Sequence, residues 1–263
     1  MPNHVTNRVH LTGDAARIRE LLEAVRYDDG EIGTLDFSKL IPMPEELDME
    51  FGSLTHRAIH AYLCAINPKN TAFPYPFKMH GDLFEALSAA LGYSRPESRA
   101  KLVQKPADFG EQGDELVKLG RQYVDNYLHY GVTTWYDFRV AKWGSKWNSY
   151  NAQPLENDTL TFCTAYSRVL PVIAELARRF PDIEIEYAWA DEDIGCNVGY
   201  AKFEGGELTE DFWYEPHTRE AYEFAAEVMG SDLSEWSLVF NEDTQNYEFH
   251  YEETAEEEHP EMT

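Results

Sequence analysis

The stretch IEIEYAWADEDIGCNVGYAKF (183–203) decides the fold class of this chain. Its first half alternates apolar and polar residues, with one face made of Ile183, Ile185, Tyr187 and Trp189. A period of two is typical of a half-buried strand. The alternation returns in VGYAKF (198–203) after the break DEDIGCN, so the two runs predict an antiparallel hairpin.

Strand and helix patterns alternate on the N-terminal side of this hairpin. TLTFCTA (159–165) predicts a strand, and the spacing of apolar residues over 167–180 predicts a helix. At the start of the chain, HVTNRVHL (4–11) predicts a strand, and a helical pattern follows the cap residue Asp14. TLDFSKLI (34–41), which is followed closely by prolines, predicts a second N-terminal strand.

Two strand–helix–strand halves of this kind build the split β-α-β arrangement of ferredoxin-like folds. We therefore expect an α+β protein with a ferredoxin-like antiparallel sheet made of residues 1–44 and 152–207. Apolar residues at helical spacing predict a helical insertion over 45–151, which splits the sheet. An acidic α/β appendage is expected at 208–251, with a helix at 218–230 and a hairpin at 237–251, followed by a disordered acidic tail at 252–263.

The negative charge of the chain is concentrated in its last third. The 263 residues carry a net charge of −26, and residues 182–263 contribute −23 of it, with 25 Asp and Glu against Lys202 and Arg219. A surface of this sign repels nucleic acid and anionic membranes, and it attracts cations or proteins with basic grooves. We therefore expect neither direct contact with nucleic acid nor a membrane partner.

Composition and motifs favour a cytoplasmic globular protein. Aromatic residues make up 14% of the sequence, which is enough for a large core. The start lacks the apolar segment of a signal peptide, and no apolar run reaches membrane-spanning length. The three cysteines form no CxxC pair, so neither a disulfide framework nor a zinc site is expected. P-loop, nucleophile-elbow and dinucleotide motifs are missing, so these enzyme classes have no support.

Four segments together resemble a known family: MPNHVTNRVHLTG (1–13), LIPMPEEL (40–47), WYDFRVAKWGSKWN (135–148) and YAWADEDIGCNVGY (187–200). In this order they are similar to the YubB-type ferredoxin-like family, which is carried on bacterial plasmids and bacteriophages. The similarity runs from Met1 to about Glu207. It implies a ferredoxin-like sheet in an accessory protein of a mobile element, with no catalytic or binding residues assigned.

The segment WYDFRVAKWGSKWNSYN (135–151) concentrates aromatic and cationic residues in an acidic chain. One interpretation is a pocket that stacks a base or sugar, or holds a phosphate, lined by Trp135, Lys142, Trp143, Lys146, Trp147 and Asn148. The other is a structural junction, in which the Trp rings join the helical insertion to the sheet because each ring buries a large area. We favour the junction.

Three adjacent carboxylates, Asp191, Glu192 and Asp193, occupy the turn of the predicted hairpin. With Asn197 they offer the oxygen ligands that Mg²⁺ or Ca²⁺ takes. Their spacing is not that of an EF-hand, and neighbouring strand residues point to opposite faces, so an acidic turn in solvent is the simpler interpretation. We expect no cofactor, with a divalent cation at these residues as the alternative.

The main functional hypothesis is based on the acidic C-terminal end of the chain, from residue 207 onward. Its carboxylates are interleaved with aromatic residues, as in EDFWYEP (210–216), which indicates folded structure with charges displayed outward. Carboxylates at alternate strand positions repeat at about 6.6 Å, close to the roughly 6.8 Å of two base-pair steps along DNA. The proposed acidic face comprises every Asp and Glu of this end up to the tail: Glu207, Glu210, Asp211, Glu215, Glu220, Glu223, Glu227, Asp232, Glu235, Glu242, Asp243 and Glu248.

We therefore predict a non-enzymatic accessory protein whose acidic face binds a basic host protein. A nucleic-acid-binding defence or replication factor is the expected partner, which the protein would occlude as a DNA mimic. A surface that is acidic only for solubility is one alternative. The other is a small-molecule or nucleotide pocket, assisted by a metal, that combines Trp143, Lys146 and Trp147 with the carboxylates from Asp191 to Asp193.

Overall fold

The computed structural model describes residues 2–67, 80–90 and 115–250, with only the backbone described at 80–82. The chain divides into two compact units. Met1–Leu40 and Trp147–Thr263 form the first, the sheet unit, and Ile41–Lys146 form the second, the helical unit. The boundaries lie a few residues before those predicted for the insertion. The tail predicted to be disordered, 252–263, lies outside the described residues.

The elements follow one another in three groups along the chain. The sheet unit begins with β1 (His4–Thr12), α1 (Ala15–Val25) and α2 (Phe37–Leu40). The helical unit contains a 3-10 helix (Glu45–Leu47), α3 (Ser53–Ile66), α4 (His80–Ala90), α5 (Glu115–Tyr130) and α6 (Trp135–Trp143). The sheet unit then continues with β2 (Thr159–Ala165), α7 (Leu170–Arg179), β3 (Glu184–Asp191), β4 (Gly199–Glu204), β5 (Glu207–Trp213), α8 (Arg219–Met229), a second 3-10 helix (Leu233–Trp236), β6 (Leu238–Asn241) and β7 (Asn246–Phe249).

The five-stranded sheet has the order β2-β1-β3-β4-β5, and each neighbouring pair is antiparallel. Both β2 and β3 pair with β1, which lies between them, so β2, α7 and β3 form a split β-α-β unit. The hairpin predicted from 183–203 is β3 and β4, with Glu186 opposite Lys202 and Ala188 opposite Tyr200. The sheet therefore has the predicted split plan.

One face of the sheet, here called the core face, is apolar. Side chains that point to it alternate along each strand and are less than 3% exposed: Val5, Val9 and Leu11 on β1, Leu160 and Phe162 on β2, Ile185, Tyr187 and Trp189 on β3, and Ala201 and Phe203 on β4. Helix α7 contacts β3, β4 and β5 and buries Val172, Ile173, Leu176 and Ala177. The period-two pattern of the sequence therefore marks this face, because only one side of each strand is buried.

The opposite face, here called the outer face, is covered in part by α8. This helix contacts β1 and β3, and the cluster that it forms there includes Ala190, Ile194, Val198, Tyr222, Ala225, Val228 and Leu238. The second 3-10 helix and β7 also contact α8. The helix predicted at 218–230 and the hairpin predicted at 237–251 are thus both present, the hairpin as β6 and β7.

Two predictions about the sheet are wrong. Residues 34–41 form no strand: the side chain of Asp36 accepts hydrogen bonds from the backbone N–H and the hydroxyl of Ser38, which starts the short helix α2. The acidic region after 207 is no separate appendage, because β5 pairs with β4 and α8 covers the sheet. The fifth strand of the sheet is therefore β5, an edge strand that shows no apolar alternation in the sequence because all its residues are exposed.

The helical unit has its own core. Helices α3 and α5 pack closely, and their buried residues form a cluster with those of α4 that includes Ile59, Leu63, Leu83, Leu87, Tyr123 and Tyr127. The two helices approach so closely at Gly120 that a Cβ there would lie 1.9 Å from the carbonyl oxygen of Ala58. Across both units, none of the helices that the structure describes is long and apolar enough to cross a lipid bilayer.

Candidate functional site

The twelve carboxylates predicted to form an acidic face are all exposed. They are distributed over β5, the loop to α8, α8 itself, the second 3-10 helix and the β6–β7 hairpin. Over the same span, 207–250, the sequence contains one Lys or Arg, which is Arg219. This part of the sheet unit therefore displays a large excess of negative charge.

Three of the twelve carboxylates are bound to cations of the chain itself. Asp211 accepts two hydrogen bonds from the guanidinium of Arg168, at 2.5 and 3.0 Å. Glu210 lies 3.7 Å from Nζ of Lys202, and Glu223 accepts from Nε of Arg219 at 2.7 Å. The remaining nine have no Lys, Arg or His nitrogen within 4.0 Å in the described part of the chain. These nine are here called the acidic surface: Glu207, Glu215, Glu220, Glu227, Asp232, Glu235, Glu242, Asp243 and Glu248.

The ladder of carboxylates expected along a strand is not formed by the strands described. The register of β5 with β4 shifts between Lys202 and Phe203, which leaves Thr209 as an extra residue. Glu210 faces the outer side with Lys202, and Asp211 faces the α7 side with Ala201. Since both also have their own cations, a regular phosphate-like row on β5 is excluded. On helix α8, by contrast, Glu220, Glu223 and Glu227 share one side, at rises of about 4.5 and 6 Å.

Hydrogen bonds position several carboxylates of the acidic surface and lower the pKa of two of them. Asp232 and Glu235 form a capping box around the second 3-10 helix, and the hydrogen bonds from Ser234 lower the pKa of Asp232. Glu248 accepts from Asn241 and Thr244, which lower its pKa in that order. The side chains are thus ordered before any partner arrives, which reduces the entropy that binding costs.

The aromatic and cationic candidates are divided between the two units. Trp135, Lys142, Trp143 and Lys146 belong to the helical unit, whereas Trp147 and Asn148 belong to the sheet unit. Trp143 is 2% exposed and its indole N–H donates to the carbonyl of Ile41 at 2.9 Å. The guanidinium of Arg139 lies over both Trp135 and Trp143, at 5.1 and 4.9 Å from the ring centres. Within the helical unit these rings therefore have structural roles.

Asn148 also has a structural role. Its carbonyl oxygen accepts from the backbone N–H groups of Phe37 and Ser149, and its NH₂ donates to Asp36 at 2.7 Å. All these bonds fix the turn at the start of α2. Trp147 is 39% exposed and packs edge-on against Tyr150. The amide of Asn148 is therefore occupied inside the sheet unit rather than directed at a ligand.

The carboxylates at the β3–β4 turn do not converge. Asp191 is buried and accepts three N–H bonds, from Asn3 at 3.2 Å, from the backbone of Asp193 at 3.0 Å and from Asn197 at 3.0 Å. Glu192 and Asp193 are exposed. Among the residues that the structure describes, no group of three or more His, Cys, Asp or Glu is arranged to hold a metal ion. Asp191 and Asn197 are thus used to build the turn.

A thiol–imidazole pair beside this turn is not visible in the sequence, because 21 residues separate its members. Sγ of Cys196 lies 3.0 Å from Nε2 of His217. Burial, followed by the carboxylate of Asp193, raises the pKa of the Cys196 thiol. Burial and a neighbouring carboxylate are the opposite of the electropositive surroundings that activate a thiol.

An open cleft of about 720 Å³ lies on the outer face where α8 leaves the sheet uncovered. Its walls are the last turn of α8 and the segment 153–157, and its floor consists of outward-pointing residues of four strands. Two cross-strand rows form that floor: Thr159, His10, Glu186 and Lys202 in the first, and Thr161, Arg8, Ala188 and Tyr200 in the second. The small Ala188 side chain leaves room between Arg8 and Tyr200.

The basic groups of the cleft are fixed by the chain. Arg8 donates to the carbonyl of Glu227 at 3.0 Å, and Nδ1 of His10 contacts the hydroxyl of Thr159 at 3.0 Å. Nζ of Lys202 lies 3.5 Å from Glu186. Only the pairing of β1 with its neighbours brings these residues together.

Comparison with known proteins supports the fold. Residues 142–232 match a family model described as "Ferredoxin-like domain in Api92-like protein". This segment is similar to the ferredoxin-like domain of Api92-like proteins. It contains β2, α7, β3, β4, β5 and α8, so the predicted ferredoxin-like α+β class is confirmed.

A solved structure also aligns with the chain. It is the crystal structure of the protein api92 from Yersinia pseudotuberculosis, which is 13% identical, with 82% of this chain and 99% of that chain covered and a TM-score of 0.37. The comparison with curated proteins gave no match.

Proposed function

We propose that this protein is a non-enzymatic accessory protein that binds a basic protein partner through the acidic surface. The observation that carries the proposal is the set of nine exposed carboxylates with no cation partner among the described residues. Uncompensated charges of one sign steer oppositely charged proteins and accelerate their association.

Exposed apolar side chains favour a protein partner over a free cation. Between residues 207 and 250 the carboxylates are interleaved with five large hydrophobic side chains that are 44% to 56% exposed: Leu208, Phe212, Trp213, Val239 and Phe249. A surface that is acidic only for solubility needs no such residues. Protein–protein interfaces combine aromatic and other apolar anchors at their centre with a polar rim.

The partner class follows from charge and from the resemblance to plasmid and phage proteins. A basic, nucleic-acid-binding host protein, such as a defence or replication factor, presents a groove complementary to this surface. Glu220 and Glu227 lie two turns apart on α8, about 10.5 Å along its axis, so the mimicry of phosphates that we propose rests on the sign of the charge rather than on its spacing. Binding would occlude the groove sterically and electrostatically.

A capture experiment tests this function. The tagged full-length protein is incubated with bacterial lysate, and the retained proteins are identified by mass spectrometry at low salt and at high salt. In the test variant five carboxylates of the acidic surface are neutralised: Glu220→Gln, Glu227→Gln, Glu235→Gln, Glu242→Gln and Asp243→Asn. A matched control neutralises five exposed carboxylates elsewhere: Asp29→Asn, Glu31→Gln, Glu45→Gln, Asp158→Asn and Glu184→Gln.

We expect basic proteins to be retained by the wild type and by the control, and to be lost from the test variant. They should also be lost at about 0.5 M salt, because the Debye length is then only a few ångström and the attraction between exposed charges is screened. Equal retention by both variants, or retained proteins that are no more basic than the lysate, would contradict the proposal.

The cleft on the outer face supports a second candidate function, the binding of a nucleotide or a small molecule of similar size. Its volume lies in the range of ligand sites, Arg8 and His10 are preorganised, and Tyr200 offers a flat wall. Thermal denaturation with AMP tests it: the wild type should be stabilised, and the variant Ala188→Leu, which fills the floor, should not. Equal shifts for the two proteins, or none for the wild type, would exclude this site.

A further inference from the structure

The two edge strands of the five-stranded sheet differ in whether another segment pairs with them. At the β2 edge, Tyr150 and Cys163 exchange backbone hydrogen bonds of 3.1 and 2.7 Å, and Gln153 donates to Thr161 at 2.9 Å. At the β5 edge, the residues of Glu207–Trp213 pair only with β4 among the described parts of the chain. The β5 edge thus carries main-chain groups open to pairing.

The direction of these groups follows from the register. The backbone N–H of Tyr214 donates to the carbonyl of Val198, the residue before β4. The main-chain groups of Tyr214 therefore point towards β4. Along an antiparallel strand the direction alternates from residue to residue. The N–H and C=O groups of Asp211 and Trp213 therefore point away from β4.

Side-chain contacts hold this edge rigid. The guanidinium of Arg168 binds Asp211 at two points and lies between the rings of Trp189 and Trp213, 4.4 and 4.5 Å from their centres. The hydroxyl of Tyr200 donates to Glu210 at 2.7 Å. An ordered edge loses little conformational freedom on pairing, so it is a suitable template for another strand.

The side chains of β5 indicate what the added strand contains. All seven residues are exposed. According to the register, Leu208, Asp211 and Trp213 point to the α7 side, and Glu207, Glu210 and Phe212 point to the outer side. The outer side thus offers carboxylate, with Glu207 lacking a cation partner among the described residues, whereas the α7 side is mainly apolar because Arg168 already binds Asp211. A second copy of this chain is a poor occupant, because it carries a net charge of −26 and an identical acidic strand.

We infer that the β5 edge receives an extended segment of the basic partner as a sixth strand, in which Lys or Arg alternates with apolar residues. Main-chain hydrogen bonds to Asp211 and Trp213 would supply affinity, and the side chains would supply selectivity. The inference rests on the proposed function, since it assumes a protein partner, and it adds the place and the mode of recognition.

Peptide binding to the full-length protein, followed by hydrogen–deuterium exchange, tests the inference. The probe is the acetylated, amidated peptide KVKVKVK. Its control has the same sequence and charge but is N-methylated at every residue, which removes the N–H donors of both edges. We expect the probe to slow exchange within 207–213, and the control to bind about tenfold more weakly, because two main-chain hydrogen bonds are lost.

A pair of protein variants sharpens the test. Phe212→Lys adds a cation beside the edge, whereas Val239→Lys adds the same charge on the β6–β7 hairpin at another exposed apolar residue. The first should weaken binding of the probe several-fold more than the second. Thermal melting of both variants checks that they remain folded.

The outcomes separate this inference from the proposed function. Equal binding of the two peptides, or protection confined to α8 and the hairpin, overturns strand addition but leaves electrostatic partner binding intact. No change in exchange with millimolar probe also overturns strand addition, and lysate capture then decides the proposed function independently. Protection of β5 that rises with protein concentration, without peptide, shows that a second copy is the occupant and overturns the inference.

Discussion

The two faces of the sheet differ in how their polar side chains are surrounded, although the same strands form both. On the core face buried polar side chains bind one another: Asn7, which is 0% exposed, donates to Thr164 and accepts from the hydroxyl of Tyr187. On the outer face Arg8, His10 and Lys202 are grouped around a cleft with exposed partners. Burial makes each polar contact of the core face obligatory, whereas water can replace those of the outer face. The core face therefore determines stability, and the outer face and its edge are available for binding.

The largest effect should come from overfilling the core face at Gly199. A Cβ at this position would lie 2.2 Å from the carbonyl oxygen of Phe212 and 2.4 Å from the ring of Trp189. Gly199→Val should therefore cost about 3 kcal/mol of unfolding free energy, measured by urea denaturation. The control Thr161→Val, on the outer face, should change stability little. Equal costs would show that the faces are not energetically distinct.

The same substitution can be compared on both faces with two tyrosines. Tyr187→Phe removes a hydroxyl that donates to Asn7 at 2.7 Å and accepts from the backbone of Val169 at 2.9 Å. Because both partners remain buried, we expect a loss of about 2 kcal/mol. Tyr200→Phe removes an exposed bond to Glu210, and about 0.5 kcal/mol or less should be lost. Chemical denaturation of the two variants measures the difference.

A third comparison concerns the cations that hold β5 from each side. Arg168→Met removes a two-point contact with Asp211 and the stacking on Trp189 and Trp213. It should cost about 1–2 kcal/mol and accelerate hydrogen exchange in β5. Lys202→Met, on the outer side, breaks longer ion pairs and should cost about 0.5 kcal/mol or less. Unchanged exchange in the Arg168 variant would contradict our view that this edge is rigid.

The smallest effect is a dependence of stability on pH. Hydrogen bonds from Arg178 lower the pKa of Glu175 on α7 to about 2, although burial opposes the shift. Since the folded pKa lies below the ordinary value of about 4.3, the stabilisation is present above pH 4.3 and is lost as the pH falls towards 2. Glu175→Gln should therefore lose less stability than the wild type over this interval. Equal losses of stability in Glu175→Gln and in the wild type between about pH 4.3 and about pH 2 would contradict this expectation.

Much of the fold was predictable because burial leaves a periodic pattern. The strands at 4–11, 159–165, 183–190 and 198–203 and the helix at 218–230 lie where the pattern places them. The segment 34–41 shows the limit of that reasoning. Leu35 and Phe37 are both buried there, as an alternating strand requires, but the side chain of Asp36 starts a helix instead.

The candidate site was predictable only in its composition. The sequence shows that carboxylates dominate the C-terminal third and that they are exposed. It does not show that Asp211 is neutralised by Arg168, 43 residues away, or that Glu210 is neutralised by Lys202. Without these two carboxylates the acidic surface contains no strand ladder, and most of its charge lies on α8, the second 3-10 helix and the β6–β7 hairpin.

The sequence by itself determined the ferredoxin-like plan, the position of most strands and helices, and the sign of the charge on the C-terminal third. These properties depend on residues close together in the sequence, through the alternation of apolar and polar residues, the helical spacing of apolar residues and the local composition. Only the tertiary structure decided which edge of the sheet is open, which carboxylates keep their charge unpaired, and where Arg8, His10 and Lys202 meet. Each of these depends on partners that are distant in sequence and close in space. An edge strand such as β5 also buries neither face, so it leaves no apolar alternation from which it could be predicted.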